Sequence, residues 1–256
     1  MIFESHAHYD DKAFDEDRKE LLTSLKEHGI NKVINVGASL KSCEITLQLI
    51  KEYPFIYGAM GVHPSETAEL NEENFPWLRE QCACDKVVAV GEIGLDYHWK
   101  EPEAPVQKLW FERQMELARE VGLPVIIHSR DAAKDTLDMM KMLRAGEIGG
   151  VIHCYSYTKE MAREYLNMDY YFGIGGVITF KNSKKLKEAV EYIPLNRILL
   201  ETDSPYLAPE PNRGKRNSSL NLPYVAQTIA ELKGVTYGEV VETTWRNACR
   251  LFRIAK

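Results

Sequence analysis

The chain reads as a single α/β domain over residues 1–256, a (β/α)₈ TIM barrel with a metal site at the C-terminal mouth of its strands. Three observations predict it. Eight short apolar runs alternate with amphipathic stretches, and several are nearly continuous in Val and Ile, as suits parallel strands covered on both faces. No Pro/Gly/Ser-rich linker, internal repeat or low-complexity segment divides the chain. Five of the seven histidines, with one Glu and one Asp, stand at or just past the ends of the apolar runs. A length of 256 residues with 45% hydrophobic content is enough for one such barrel.

In order, the predicted strands are 2–5 (IFES), 32–37 (KVINVG), 55–62 (FIYGAMGV), 86–93 (KVVAVGEI), 123–129 (LPVIIHS), 149–154 (GGVIHC), 170–176 (YYFGIGG) and 197–202 (RILLET). Helical stripes lie between and after them. Phe111, Met115, Ala118 and Val121 repeat at helical spacing, as do Leu186, Ala189, Val190 and Ile193. Leu222, Val225, Ala226, Ile229 and Leu232 form another stripe, and Thr236 with Glu239 reads as a capping box ahead of Val241, Thr244, Trp245 and Ala248. We read these stripes as core packing.

Composition excludes several classes. No apolar stretch approaches the roughly 18 residues of a membrane span, and MIFESHAHYDD carries acids where a secretion signal needs a basic and then an apolar segment. Five cysteines at scattered spacing indicate neither a disulfide framework nor a zinc knuckle, so we expect reduced thiols and a cytoplasmic protein. A net charge of −6 argues against coating nucleic acid by bulk electrostatics. Two bound divalent ions would add about +4 at the place where a phosphate must sit, so a polyanionic substrate is permitted.

The chemistry is carried at the strand ends. His6 and His8 follow the first strand, where residues i and i+2 point the same way with Cα atoms about 6.5 Å apart, so both imidazoles can reach one ion. Later strand ends add Glu92, His128, His153 and Asp203, and His63 ends the third. Taken singly, such a His is a satisfied core residue and such an Asp a helix cap. Together they describe one metal site. Nitrogen and carboxylate donors suit zinc, manganese, iron, cobalt or nickel, with magnesium held more weakly. A carboxylate such as Glu92 can bridge two ions.

Ordered strings along the whole chain resemble the TatD-type metal-dependent deoxyribonucleases of the amidohydrolase superfamily. They are HAHYD (6–10), GVHP (61–64), VGEIGLDY (90–97), Gln107 with Phe111 and Gln114, LPVIIHSRDA (123–132), HCYS (153–156), ETDSPYLAP (201–209), RGKRN (213–217) and NACRLF (247–252). The resemblance implies that His6, His8, Glu92 and Asp203 hold one divalent ion and that Glu92, His128 and His153 hold a second. Two departures stand out: Glu4 occupies the place of the family's more usual Asp two residues before His6, and RNSSLNLPYV stretches the family's shorter Asn-x-Pro pattern. Phosphotriesterase-like members of the superfamily bridge their ions with a modified lysine at a strand end. No lysine ends any predicted strand here, and Glu92 ends the fourth.

The activity this implies is hydrolysis of DNA phosphodiesters by metal-activated water, with Asp203 as ligand and proton acceptor. His63 would contact the scissile phosphate or the leaving oxygen, or hydrogen-bond to a ligand, and Glu201 would orient a ligand. Arg130, Tyr155, Arg213 and Arg216 are the substrate-binding candidates, with Lys215, Tyr97 and Trp99 beside them, against the alternative that such charges are only solvated and such rings only packed. His28 and His98 are read as ordinary residues. Short loops leave little room to embrace a duplex, which points to 3′-5′ exonuclease action on single-stranded or frayed ends by a monomer without membrane or obligate protein partner. The alternative enzyme is an ester or amide hydrolase on the same centre, for instance a D-aminoacyl-tRNA deacylase. A non-catalytic scaffold barrel is the third reading, and it predicts missing ligands.

Overall fold

In a strand covered on both faces, alternate residues go to opposite sides, so each apolar run divides into two sets. The computed structural model, which describes residues 1–255, shows that division directly. Ile34 and Val36, Ile126, Val151 and Leu199 belong to one cluster with Phe3 and Ala59. Their neighbours Val33, Val125, Ile127, Ile152, Ile198 and Leu200 belong to a larger one shared with the helices. The first set fills the barrel lumen and the second faces the helical ring.

The strands are β1 (Ile2–Ala7), β2 (Ile30–Val36), β3 (Ile56–Met60), β4 (Val87–Asp96), β5 (Val125–Arg130), β6 (Gly150–Ile152), β7 (Tyr171–Ile174) and β8 (Ile198–Leu200). Each pairs in parallel with the next, in sequence order. A parallel bridge between Ala7 and Ser204 brings the end of the series back to its start. There the Asp203 N–H donates to the His6 carbonyl at 3.0 Å and the His8 N–H to the Ser204 carbonyl at 2.8 Å. The nearly closed barrel is thus sewn beside the residues expected to bind metal.

The helices are α1 (Arg18–Leu25), α2 (Leu40–Glu52), α3 (Phe75–Gln81), α4 (Ala104–Val121), α5 (Ala133–Met142), α6 (Lys159–Asn167), α7 (Lys184–Tyr192), α8 (Leu222–Lys233) and α9 (Tyr237–Leu251). Local chemistry sets their ends. Pro105 and Pro223 open α4 and α8, while Gly122 and Gly234 close them in left-handed conformation. Thr236 caps α9 by accepting from the Glu239 N–H at 3.1 Å. Trp245, Ala248, Phe252 and Ile254, from α9 and the residues after it, join Phe3 in the lumen cluster. No helix among the described residues is long and apolar enough to cross a membrane.

Two expectations change. The third, sixth, seventh and eighth strands end earlier than predicted, at Met60, Ile152, Ile174 and Leu200, while the first, fourth and fifth run on to Ala7, Asp96 and Arg130; after β6 and β8, Cys154 and Asp203 take left-handed backbone (φ 46° and 56°) that turns the chain out of the ladder. The connection after β8 is also long, running from residue 201 to the short 3₁₀ turn Ser219–Asn221. Buried Asn217 holds it, donating to the carbonyls of Thr202 (2.9 Å) and Tyr206 (2.7 Å).

Candidate metal centre

Lumen parity carries straight into the site. Two residues beyond Ile126, Val151 and Leu199 on the same side come His128, His153 and Glu201, and two beyond Glu201 comes Asp203. His6 from β1, His8 just past its end and Glu92 from β4 meet them at the mouth. His6 Nε2 and His8 Nε2 lie 3.1 Å apart, and Glu92 Oε2 lies 3.4 Å from the first and 3.6 Å from the second. Asp203 Oδ1 is 3.8 Å from His6 Nε2, 3.4 Å from His8 Nε2 and 3.6 Å from His153 Nε2. The other Glu92 oxygen faces elsewhere: Oε1 is 2.6 Å from His128 Nδ1, 3.6 Å from His153 Nε2 and 3.9 Å from His63 Nε2.

Outer partners decide which ring nitrogen each histidine offers. His8 Nδ1 donates to the Val36 carbonyl at 2.8 Å, which leaves Nε2 for the centre. His128 Nε2 meets Asp96 Oδ2 at 3.0 Å and offers Nδ1, whereas His153 Nδ1 lies 3.0 Å from Glu201 Oε1 and offers Nε2. Glu201, 1% exposed, lies against His153 and also accepts from the Cys154 N–H at 2.6 Å. Gly173 makes room for it, since a Cβ there would strike the Glu201 carboxylate. Gly94 (φ 144°) lets the His128 carbonyl approach in the same way.

Charge follows geometry. Burial would raise the Glu92 carboxyl, but the imidazoles of His153, His6 and His128 hold it well below the usual carboxylate range. Burial also opposes charge on His8 and His153, yet Asp203 and Glu92 push the first up to about 9, and Glu201, Glu92 and Asp203 push the second up to about 10. Burial and the neighbouring His128 press His63 down to about 3. The donors fit divalent cations. Imidazole nitrogens and carboxylate oxygens crowd together in overlapping groups, among them His6 with His8 and Asp203 and His63 with Glu92 and His128, and the 3.1 Å between His6 and His8 is close to the roughly 3.3 Å between two nitrogens bound tetrahedrally to one ion.

The remaining candidates divide. His63 lies at the cleft, its Nδ1 accepting from the Ser65 N–H at 3.1 Å, so the proton of the neutral ring is on Nε2, facing Glu92. Arg130 and Trp99 line the same cleft. Tyr155 does not. It is 2% exposed, its ring packs edge-on against Phe172 at 5.0 Å, and its hydroxyl is spent on the Thr158 carbonyl, which corrects its assignment to substrate binding. Arg213 and Arg216 also lie outside the cleft lining: Arg213 stacks on Phe180 at 4.2 Å, and Arg216 stacks on Phe14 at 4.8 Å with a two-pronged ion pair to Asp17. Tyr97 hydrogen-bonds Asp135 at 2.9 Å, and His98 lies 3.6 Å from Asp131.

Sequence reasoning missed Asp96, the partner of His128, although it stands within VGEIGLDY. It also missed what the α4 glutamines do. Gln107 pairs with both backbone groups of Asp96, and Gln114 with both of Val62, at 2.8 to 3.1 Å. Their spacing of seven on one helix was the available signal.

Comparison with known proteins agrees with this geometry. A family model described as TatD related DNase matches residues 3–253. The chain is 44% identical over 254 residues to the uncharacterized metal-dependent hydrolase YabD of Bacillus subtilis, covering 99% of this chain and all of that one. It is 34% identical to the 3′-5′ ssDNA/RNA exonuclease TatD of Cronobacter sakazakii, covering 93% of each. The crystal structure of YJJV, a TatD homolog from Escherichia coli, superposes with a TM-score of 0.93 at 28% identity, covering 99% of this chain and 98% of that one. Matched nearly from end to end, with the strand-end histidines and acids gathered at one mouth, the chain belongs to the TatD family of metal-dependent hydrolases.

Proposed function

We propose that the protein is a 3′-5′ exodeoxyribonuclease acting on single-stranded or frayed ends with two divalent ions, which Glu92 would help to hold. The observation that carries this reading is the division of one carboxylate between two clusters, Oε2 toward His6 and His8 and Oε1 toward His128 and His153. His6, His8, Glu92 and Asp203 would hold one ion, and Glu92, His128 and His153 the other. Ions bound there supply Lewis acidity, neutralising phosphoryl oxygens and favouring ionisation of water. Asp203, at the floor of the cleft, accepts the proton of the attacking water. His63 presents its Nε2–H to a phosphoryl oxygen or to the departing oxygen, and its neutrality lets it donate without repelling the cations. Arg130 meets a backbone phosphate and Trp99 offers a face to a base. The name carried by the Cronobacter relative supports the choice of substrate and polarity.

The test is digestion of 5′-labelled single-stranded DNA by metal-stripped protein with Mg²⁺, Mn²⁺ or Zn²⁺ restored. We expect a ladder shortening from the 3′ end, lost by a factor of about 10³ or more in Glu92→Gln. Intact DNA with every metal, in protein that still takes up two ions, would refute the nuclease reading and favour a carbonyl ester as substrate.

A further inference from the structure

Resting on the nuclease reading, we infer that the cleft is built to admit a chain end and that carboxylates on one wall exclude any phosphate beyond the scissile one. The cavity over the metal centre is about 780 Å³, a pocket for a few groups and not a groove for a polymer. Its rim follows strand order. The loops after β1 and β3 contribute Asp10, Asp11 and Glu66, the loop after β4 contributes Trp99, and the end of β5 contributes Arg130. Among the described residues Arg130 is the one lysine or arginine in the lining, so the cleft has an acidic wall and, beyond the candidate metal ligands, a wall with an aromatic face and a cation.

The carboxylate oxygens of these acids are held by neutral donors. Asp10 accepts from Asn35 Nδ2 at 2.9 Å and Ser42 Oγ at 2.5 Å. Asp11 accepts from the Ala13 N–H at 2.7 Å and the Tyr206 hydroxyl at 2.9 Å, and Glu66 from Ser65 Oγ at 3.1 Å. With donors on these oxygens, the three do not join the clustered donor groups that could hold an ion among the described residues. Arg18, the nearest guanidinium of the β1 loop, spends its donors on the carbonyls of Tyr9, Asp10 and Asp11 and on Asp15, and does not line the cleft.

A phosphodiester seated at the metals has a strand on either side. The side bearing further phosphates is attracted to Arg130, and its bases find Trp99. The other side meets the negative charge of Asp10, Asp11 and the exposed Glu66 at the rim, a repulsion that salt screens. Only a terminal nucleoside, uncharged and ending in hydroxyl, fits there. Exonuclease action is then a property of the wall, and a 3′-phosphate acts as a block.

The experiment compares Mn²⁺-loaded protein on 5′-labelled single strands ending in a 3′-hydroxyl or a 3′-phosphate, with circular single-stranded DNA alongside. We expect the hydroxyl end to be digested at least about tenfold faster than the phosphate end, and the circle to survive. The ratio should fall severalfold in an Asp11→Asn, Glu66→Gln double variant. It should also fall in the wild type as salt rises from about 0.05 to 0.5 M, a measurement that needs no variant to fold. Equal rates on the two ends, or a ratio indifferent to both salt and substitution, overturns the inference while leaving the nuclease reading intact. Failure to cleave any of the three DNAs removes both.

Discussion

His8, His128 and His153 each give one ring nitrogen to a partner outside the centre and keep the other for it, through Val36, Asp96 and Glu201 respectively. Without metal, the surrounding carboxylates push His8 up to about 9 and His153 up to about 10 and raise His128 as well, which favours their protonated forms. Loading metal should therefore release protons at pH 7, read by calorimetry in buffers of different ionisation enthalpy, and affinity should fall as pH is lowered. Glu4 makes a second prediction. It accepts from the N–H groups of His6 (3.1 Å) and Thr202 (2.9 Å) and bonds the hydroxyls of Thr202 and Ser219, while burial pushes its carboxyl up to about 8 from an ordinary 4.5. Because the folded value is raised, its contribution to stability is full below about 4.5 and is lost as pH rises through about 8. Glu4→Gln keeps the acceptor and cannot ionise, so denaturant unfolding at pH 6 and 8.5 should show a smaller loss in the variant than in the wild type. Single residues were legible where position in the chain was itself the signal, as for the strand-end histidines and acids. Asp96 was not, since its pairing depends on β4 running on past Glu92 to Asp96.

At the scale of elements, α4 acts as a clamp. Its two inward glutamines satisfy the backbone at the ends of β3 and β4, next to His63 and at Asp96, where the chain leaves the sheet. Gln114→Ala should cost about 1–3 kcal/mol in denaturant unfolding, because the Val62 N–H and C=O lose their partner in a buried place. Gln114→Glu should recover only part of that cost, since a carboxylate accepts from the N–H and cannot donate to the carbonyl. The strands and apolar helix stripes were legible because periods of 2 and 3.6 survive in one dimension. Side-chain destinations within loops were not. Tyr155 follows a strand as His153 does, but Cys154 takes left-handed backbone between them, and the ring ends up packed against Phe172. Arg216 lies in a basic run whose charge is answered by Asp17, about two hundred residues earlier in the chain.

Across the whole molecule, the expected ligands come from β1, β4 and β5 and from the chain just past β1, β6 and β8. Ions shared by them would tie the barrel around its circumference. A hundredfold excess of metal over its Kd should add about 2.7 kcal/mol per site, raising Tm by about 5–10 °C. A chelator should reverse the shift, and Glu92→Gln should lose most of it. The single-barrel prediction succeeded at this scale because eight buried runs leave few other ways to cover both faces of every strand. The parity that links Ile126 to His128, Val151 to His153 and Leu199 to Glu201 reaches further than the present fold. Each of these strands is a column with a greasy foot and a wet head. Replacing the head of one column, say a histidine by an aspartate, would change the taste of the mouth for ions and leave the foundations alone. Inserting one residue into the foot would turn the head through the wall toward the helices. New chemistry on this scaffold is therefore open to substitution in the columns, and shut to insertion.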